Sequence, residues 1–372
     1  MIPVNKPRIY PEMYTLTKQA LDSGWLSAEG PLVKKFETAF SHYITTKFGA
    51  ATNSGTTALH LAMTALGIGK NDEVIIPALT IASCYFAVWY TGATAIPVDI
   101  DPETYTLNPN LLERAITKKT KAIMPVHLYG HPCCMDEIMH IAKKHHLFVI
   151  EDAAEAHGAE YKGKKVGSFG DVSIFSFYAN KLVTCGEGGM VLTNNKKIYE
   201  RISHLKSLYH SKRQRFVHDG IGYNYQMTNM QAALGLASLA HIEESIQKKR
   251  IMASIYNNHL RDIPGIILPI EKSWAKNVYW MYAIRVNKKE YGISRNKLME
   301  KLFKQGIQTR SFFFSPKTAF KKLRLFQHKK NPVAETVETE GFYVPSGLGN
   351  SAQDFLKTIK IIKNIYATTH EA

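Results

Sequence analysis

Short, almost continuously apolar runs alternate with stretches of helical periodicity from about residue 50 onward, and this alternation narrows the folds open to the chain more than any other feature. The runs are Val74-Ile75-Ile76, Ala95-Ile96-Pro97-Val98, Ala122 to Val126, Leu147 to Ile150, Val172 to Phe177 and Met190 to Leu192. Ser54 to Leu66 reads as a helix with Ala58, Leu59, Leu61, Ala62 and Leu66 on its apolar face. Asn110 to Ile116 and Met135 to His145 read as helices between later runs. A strand that is apolar on both faces has to be covered on both, and helical crossovers supply that cover. A mainly parallel α/β sheet is therefore expected.

The texture changes in the last third. Thr228 to about Leu260 reads as one long helix or two in series, Tyr279 to Val286 as a strand, Arg295 to Gln305 as a helix and Ile307 to Phe314 as another strand. At 372 residues the chain exceeds what a single core usually serves. The expected division is a large α/β domain over 1–245 and a smaller α+β domain over 246–372.

Composition excludes several classes. No apolar run approaches the roughly 20 residues that span a bilayer, and Met1 to Lys6 lacks the apolar core of a leader, so a cytoplasmic protein is expected. Four cysteines (Cys84, Cys133, Cys134, Cys185) are too few for a disulfide scaffold. The net charge of +16 raises nucleic-acid binding. Its lysines, however, are scattered in pairs such as Lys118-Lys119, Lys143-Lys144 and Lys164-Lys165, with no basic block interleaved with aromatics. Diffuse positive charge suits solubility and anionic small molecules better.

In a parallel sheet, ligands gather beyond the carboxyl ends of the strands. Three features fall there: Asp152 after Leu147 to Ile150, Lys181 after the strand ending at Phe177, and Gly55-Thr56 at the start of a helix, where amides and dipole suit a phosphate. Singly, each has a bland explanation: a surface lysine, a helix cap, another cap. Glu151, Asp152, Glu155 and His157, or His127, His131, Cys133 and Cys134, could be read as metal ligands, although neither spacing matches a familiar pattern. Together, a lysine amine, a carboxylate and a phosphate cradle are the contacts that pyridoxal phosphate requires. The amine binds the aldehyde, the acid keeps the pyridine nitrogen protonated and the cradle retains the cofactor when the amine lets go.

Larger stretches carry a family resemblance. Glu151-Asp152-Ala153-Ala154-Glu155-Ala156-His157-Gly158, Phe175 to Lys181, Gly186-Glu187-Gly188-Gly189, Asn53 to Leu59, Pro125 to Gly130, Gly222 to Tyr225 and Arg310 to Phe313 resemble the DegT/StrS-type nucleotide-sugar aminotransferases. That resemblance implies the aspartate aminotransferase-like fold (fold type I), with a seven-stranded, mainly parallel sheet, and pyridoxal 5'-phosphate as cofactor. It implies that Lys181 and Asp152 are catalytic, Asp152 pairing with the pyridine nitrogen. Glu155 would lie beside the cofactor hydroxyl, and Gly55, Thr56 and Ser176 would hold the phosphate. Asn224 would reach the phosphate in the neighbouring subunit of a homodimer with shared sites. Arg310, His127 and Tyr129 would contact substrate, and no metal is implied. Related sugar dehydratases carry histidine at the position of Lys181; lysine implies transamination, with L-glutamate as donor.

Within the family the chain most resembles GDP-perosamine synthases, which aminate GDP-4-keto-6-deoxymannose. It departs from them at two positions. Ile81 follows the Thr of Pro77-Ala78-Leu79-Thr80 where an aromatic residue is usual, so the ring would be packed by an aliphatic side chain or covered by Tyr85 or Phe86. Gln226 replaces the arginine of Asn-Tyr-Arg-Met-Thr. These leave open another nucleotide, another sugar or another position of amination; a binding or regulatory protein that keeps the fold and the cofactor without turnover is a separate alternative. Cys185, close to Lys181, reads as a packed residue rather than a reactive thiol.

Overall fold

A computed structural model of the chain describes residues 1–370 except 212, 215 and 327–329. The apolar runs form the strands of one seven-stranded sheet: β1 (Phe48–Thr52), β2 (Glu73–Pro77), β3 (Thr94–Val98), β4 (Thr120–Ile123), β5 (Phe148–Asp152), β6 (Val172–Ser176) and β7 (Gly189–Thr193). Their order is β1-β7-β6-β5-β4-β2-β3. Pairing is parallel from β6 through β3, while β7 runs antiparallel to both β6 and β1. The apolar centres of these strands, Val74-Ile75-Ile76 in β2, Ala122-Ile123 in β4 and Ile174-Phe175 in β6, are fully buried, as expected of a sheet covered on both faces. Strand β1 was missed in the sequence because Phe48-Gly49-Ala50-Ala51-Thr52 is short and small-residue-rich. It is closely packed nonetheless: a side chain on Gly49 would meet the Glu37 carbonyl at 2.9 Å.

Helices Pro31–Ile44, Gly55–Ala65 and Ala82–Tyr90 cover the sheet. The segment read as one or two helices is two, Asn229–Leu239 and Ile242–Leu260, broken at Ala240–His241. The expected change of domain at 245/246 lies inside the second of these. A second sheet follows, in the order Ile266–Ile267, Tyr282–Val286, Gly341–Val344, Arg310–Ser311. The expected strand Ile307 to Phe314 shrinks to Arg310–Ser311, since only those two residues pair with Gly341–Val344. Asn110 to Ile116 splits into a 3-10 turn, Pro109–Leu111, and one helical turn, Leu112–Ala115. Buried apolar residues form two main clusters, one around the large sheet and one drawing on Tyr256, Tyr282, Leu298, Phe342 and Ile362. No helix among the described residues is long and apolar enough to cross a membrane.

Candidate active site

Side chains alternate along β5, and that period assigns its two acids different work. Glu151 faces away from the cleft. Its carboxylate accepts the amides of Gly167, Phe169 and Gly170, each at 2.7 Å, and His127 Nε2 lies 3.2 Å away. Asp152 ends the strand on the other side. Its Oδ1 accepts the Ala154 amide at 3.0 Å and its Oδ2 the Cys84 thiol at 3.2 Å. Burial pushes the Asp152 carboxyl above its usual range, against the pull of those donors and of Lys181.

Three carboxyl-terminal strand ends meet at one cleft of about 310 Å³, a size suited to a small ligand. Asp152 comes from β5 and Ser176 from β6, while Ser54, Gly55 and Thr56 open the helix that follows β1. Ser54 caps that helix: its hydroxyl accepts the Thr57 amide, and Thr57 Oγ1 accepts the Ser54 amide, both at 3.2 Å. The first helical bond is donated by Ala58 to the Ser54 carbonyl at 3.1 Å. The Gly55 and Thr56 amides precede it, the usual situation at an anion-binding helix end. Glycine is required here by space. A Cβ on Gly55 would sit 2.8 Å from Ser176 Cβ, and one on Gly189 would lie 2.3 Å from the Ser54 carbonyl oxygen.

Lys181 lies at this cleft with its side chain only 8% exposed. Its Nζ is 3.7 Å from Glu155 Oε1 and 3.6 Å from the centroid of the Trp280 ring. Burial lowers its pKa, while Glu155 and Asp152 act in the opposite sense. Burial raises the Glu155 carboxyl, offset by Lys181 and by the Tyr129 amide, which donates to Glu155 Oε2 at 2.9 Å. The arrangement presents a desolvated amine between acids that share its proton, which suits nucleophilic and proton-transfer chemistry.

Of the residues singled out in the sequence, Gly55, Thr56, Asp152, Glu155, Ser176, Lys181 and Arg310 line this cleft. His127, Tyr129 and Asn224 do not. His127 is completely buried, accepting the Cys133 amide on Nδ1 at 3.0 Å, so its Nε2–H faces Glu151. Tyr129 is buried beneath Phe313, whose amide donates to its hydroxyl at 3.2 Å. Asn224 is exposed, next to the segment where Tyr225 and Gln226 bond β1 and its following turn. Ile81 lines the cleft, whereas Tyr85 and Phe86 pack against Phe320. Cys185 is buried against Gly235. Among the described residues no group of three His, Cys, Asp or Glu side chains is placed to hold a metal ion. The cleft also gathers Ser83, Tyr178, Asn180, Glu187, Trp280 and Tyr343, which sequence reasoning passed over. Only Tyr178, Asn180 and Glu187, which stand in the stretches that carry the family resemblance, had a signal in the sequence.

The model of the DegT/DnrJ/EryC1/StrS aminotransferase family matches residues 7–362. The chain belongs to that family. It is a pyridoxal phosphate-dependent sugar aminotransferase. The GDP-perosamine synthase of Escherichia coli O157:H7 is 41% identical over 366 residues, covering 98% of this chain and 99% of that one. The dTDP-3-amino-3,4,6-trideoxy-alpha-D-glucose transaminase of Streptomyces venezuelae is 38% identical over 299 residues, covering 80% and 76%. Among solved structures, S. venezuelae DesV in complex with a ketimine intermediate superposes with a TM-score of 0.87 at 34% identity, covering 95% of this chain and 94% of that one. The aminotransferase fold expected from the sequence is thus the fold found.

Proposed function

We propose that this aminotransferase moves the amino group of L-glutamate to GDP-4-keto-6-deoxymannose, giving GDP-perosamine, with pyridoxal 5'-phosphate held on Lys181. The observation that carries the cofactor assignment is the convergence, in one cleft, of the buried Lys181 amine, the Asp152 carboxylate and the Gly55–Thr56 helix end. When bound, pyridoxal 5'-phosphate supplies a ring that accepts the electron pair left at the substrate carbon. Asp152 would hold a proton on the ring nitrogen; Cys84 and Ala154 fix its two oxygens for that task. Gly55, Thr56 and Ser176 would bind the phosphate, and the close Gly55–Ser176 contact sets the width of the cradle. Lys181, once freed, would carry the proton between substrate carbon and cofactor. Glu155 stands ready to stabilise its charged form.

The substrate assignment is supported by the similarity to the E. coli synthase over nearly the full length of both chains. Arg310, at the cleft and paired across strands with Tyr343, would meet the anionic nucleotide. Asn224 would complete the phosphate site of a second subunit, making the active form a homodimer. Ile81 and Gln226 favour a second reading, a UDP- or dTDP-linked sugar or amination at C3, because they alter a cleft wall and remove a cation. The deciding experiment offers GDP-, UDP- and dTDP-linked 4-keto and 3-keto sugars with L-glutamate and identifies products by mass spectrometry. Amination of GDP-4-keto-6-deoxymannose is expected, and its loss in Lys181→Ala. Preference for another sugar would replace the substrate, and no amination at all would remove the assignment.

A further inference from the structure

Trp280 reaches the cleft from the far part of the chain and is tied down on several sides. Its indole Nε1 donates to the Asn180 carbonyl at 3.0 Å, at the peptide that leads into Lys181. Its own carbonyl accepts from Lys249 Nζ at 2.7 Å. Lys249, buried in the helix Ile242–Leu260, also donates to the Ser346 carbonyl. The indole lies nearly parallel to the Tyr129 ring, at 16° and 6.5 Å between centroids. Only 4% of Trp280 is exposed. So fixed, the ring has the Lys181 amine 3.6 Å from its centroid, well inside cation–π range.

The groups that act on the Lys181 amine differ in kind. Burial disfavours its charged form, whereas Glu155, Asp152 and Cys84 favour it. The acids can also take the proton. An indole face cannot: it stabilises the ammonium without competing for the proton that must be delivered elsewhere.

We propose that Trp280 is a positioning residue for Lys181, its indole face receiving the lysine ammonium whenever that amine is released from the cofactor. The role rests on Lys181 being the cofactor lysine. It assigns Lys249 a purpose as the strut that holds the Trp280 backbone in place. It also explains why the lysine turn at Asn180 and a strand-leading segment a hundred residues later meet through a hydrogen bond.

The test replaces Trp280 site-specifically with mono-, di- and tetrafluorotryptophan, which keep the shape of the ring and progressively weaken its attraction for cations. The titration midpoint of Lys181 is read in the full-length chain, without pyridoxal 5'-phosphate, by trace acetic anhydride labelling across pH and peptide mass spectrometry. The midpoint should fall with each added fluorine, by about one pH unit across the series, so that labelling below the midpoint rises about tenfold. A residue that only fills space would leave the midpoint where it is. A constant midpoint, or one that rises, overturns the proposal. Borohydride trapping of pyridoxal 5'-phosphate on the wild-type chain is read separately. If no adduct forms at Lys181, the cofactor reading fails whatever the titration shows.

Discussion

Replacing Lys249 by methionine should change how stability responds to pH, and the size of the change follows from burial. Lys249 is 2% exposed, and among the described residues it takes part in no ion pair. Its amine is satisfied only by the Trp280 and Ser346 carbonyls. Burial, with repulsion from Lys248, brings its pKa down from the ordinary 10.5 to about 7. Between those values the unfolded chain holds a proton that the folded chain does not. Raising the pH through that window therefore favours the folded state, by about 1.4 kcal/mol per pH unit for one proton. Below about pH 7 both states are protonated and the contribution is flat. Methionine has a similar reach and no proton to lose, so its stability lacks this slope. Urea unfolding followed by tryptophan fluorescence, repeated from pH 6 to about pH 10, gives the difference directly. Wild-type stability minus that of Lys249→Met should climb by several kcal/mol between about pH 7 and about pH 10, on the order of one proton's linkage. The offset at neutral pH includes the two orphaned carbonyls, roughly 1–3 kcal/mol each. Parallel curves for the two proteins would refute the reasoning, because a lysine that stays charged in the fold shows no such window.

Glu155→Gln keeps an oxygen for the Tyr129 amide but removes the charge 3.7 Å from Lys181. Two charges at that separation interact by about 4 kcal/mol at an effective dielectric of about 20, so the Lys181 midpoint should drop by up to about 3 pH units in the same labelling measurement. No drop would mean that Glu155 is protonated throughout. Gly55→Ala places a methyl 2.8 Å from Ser176 Cβ. Relieving that overlap costs about 1–3 kcal/mol and should appear as weaker pyridoxal 5'-phosphate binding in a fluorescence titration; unchanged affinity would remove Ser176 from the cradle. His127→Leu strands the Cys133 amide and takes one donor from the Glu151 carboxylate. The melting temperature should fall, at roughly 1–3 kcal/mol per unpaired group, while the KM for the sugar in the surviving enzyme stays put. A raised KM with unchanged melting would restore His127 as a substrate contact.

What could be read from the sequence was what depends on a few adjacent residues. The strands announced themselves because burial on both faces demands unbroken apolar runs, as in Val74-Ile75-Ile76. Asp152 and Lys181 announced themselves because strand ends and a short turn place chemistry at a fixed distance along the chain, whereas Ser176 came only with the family resemblance. His127 shows the limit of that local view. It stands in a motif beside the site, but the pleat of β5 turns Glu151 away from the cleft, and His127 follows Glu151 rather than Asp152. Which of two neighbouring acids faces the ligand is a matter of register, and register is set by strands far away in sequence. Trp280 shows the opposite failure. Nothing in Val278-Tyr279-Trp280-Met281 distinguishes it from a core aromatic, and its place over Lys181 arises only when the second sheet docks on the first. The buried amine at the cleft was therefore legible, while the groups packed around it were not, since a proton's position depends on every neighbour in space and on few in sequence.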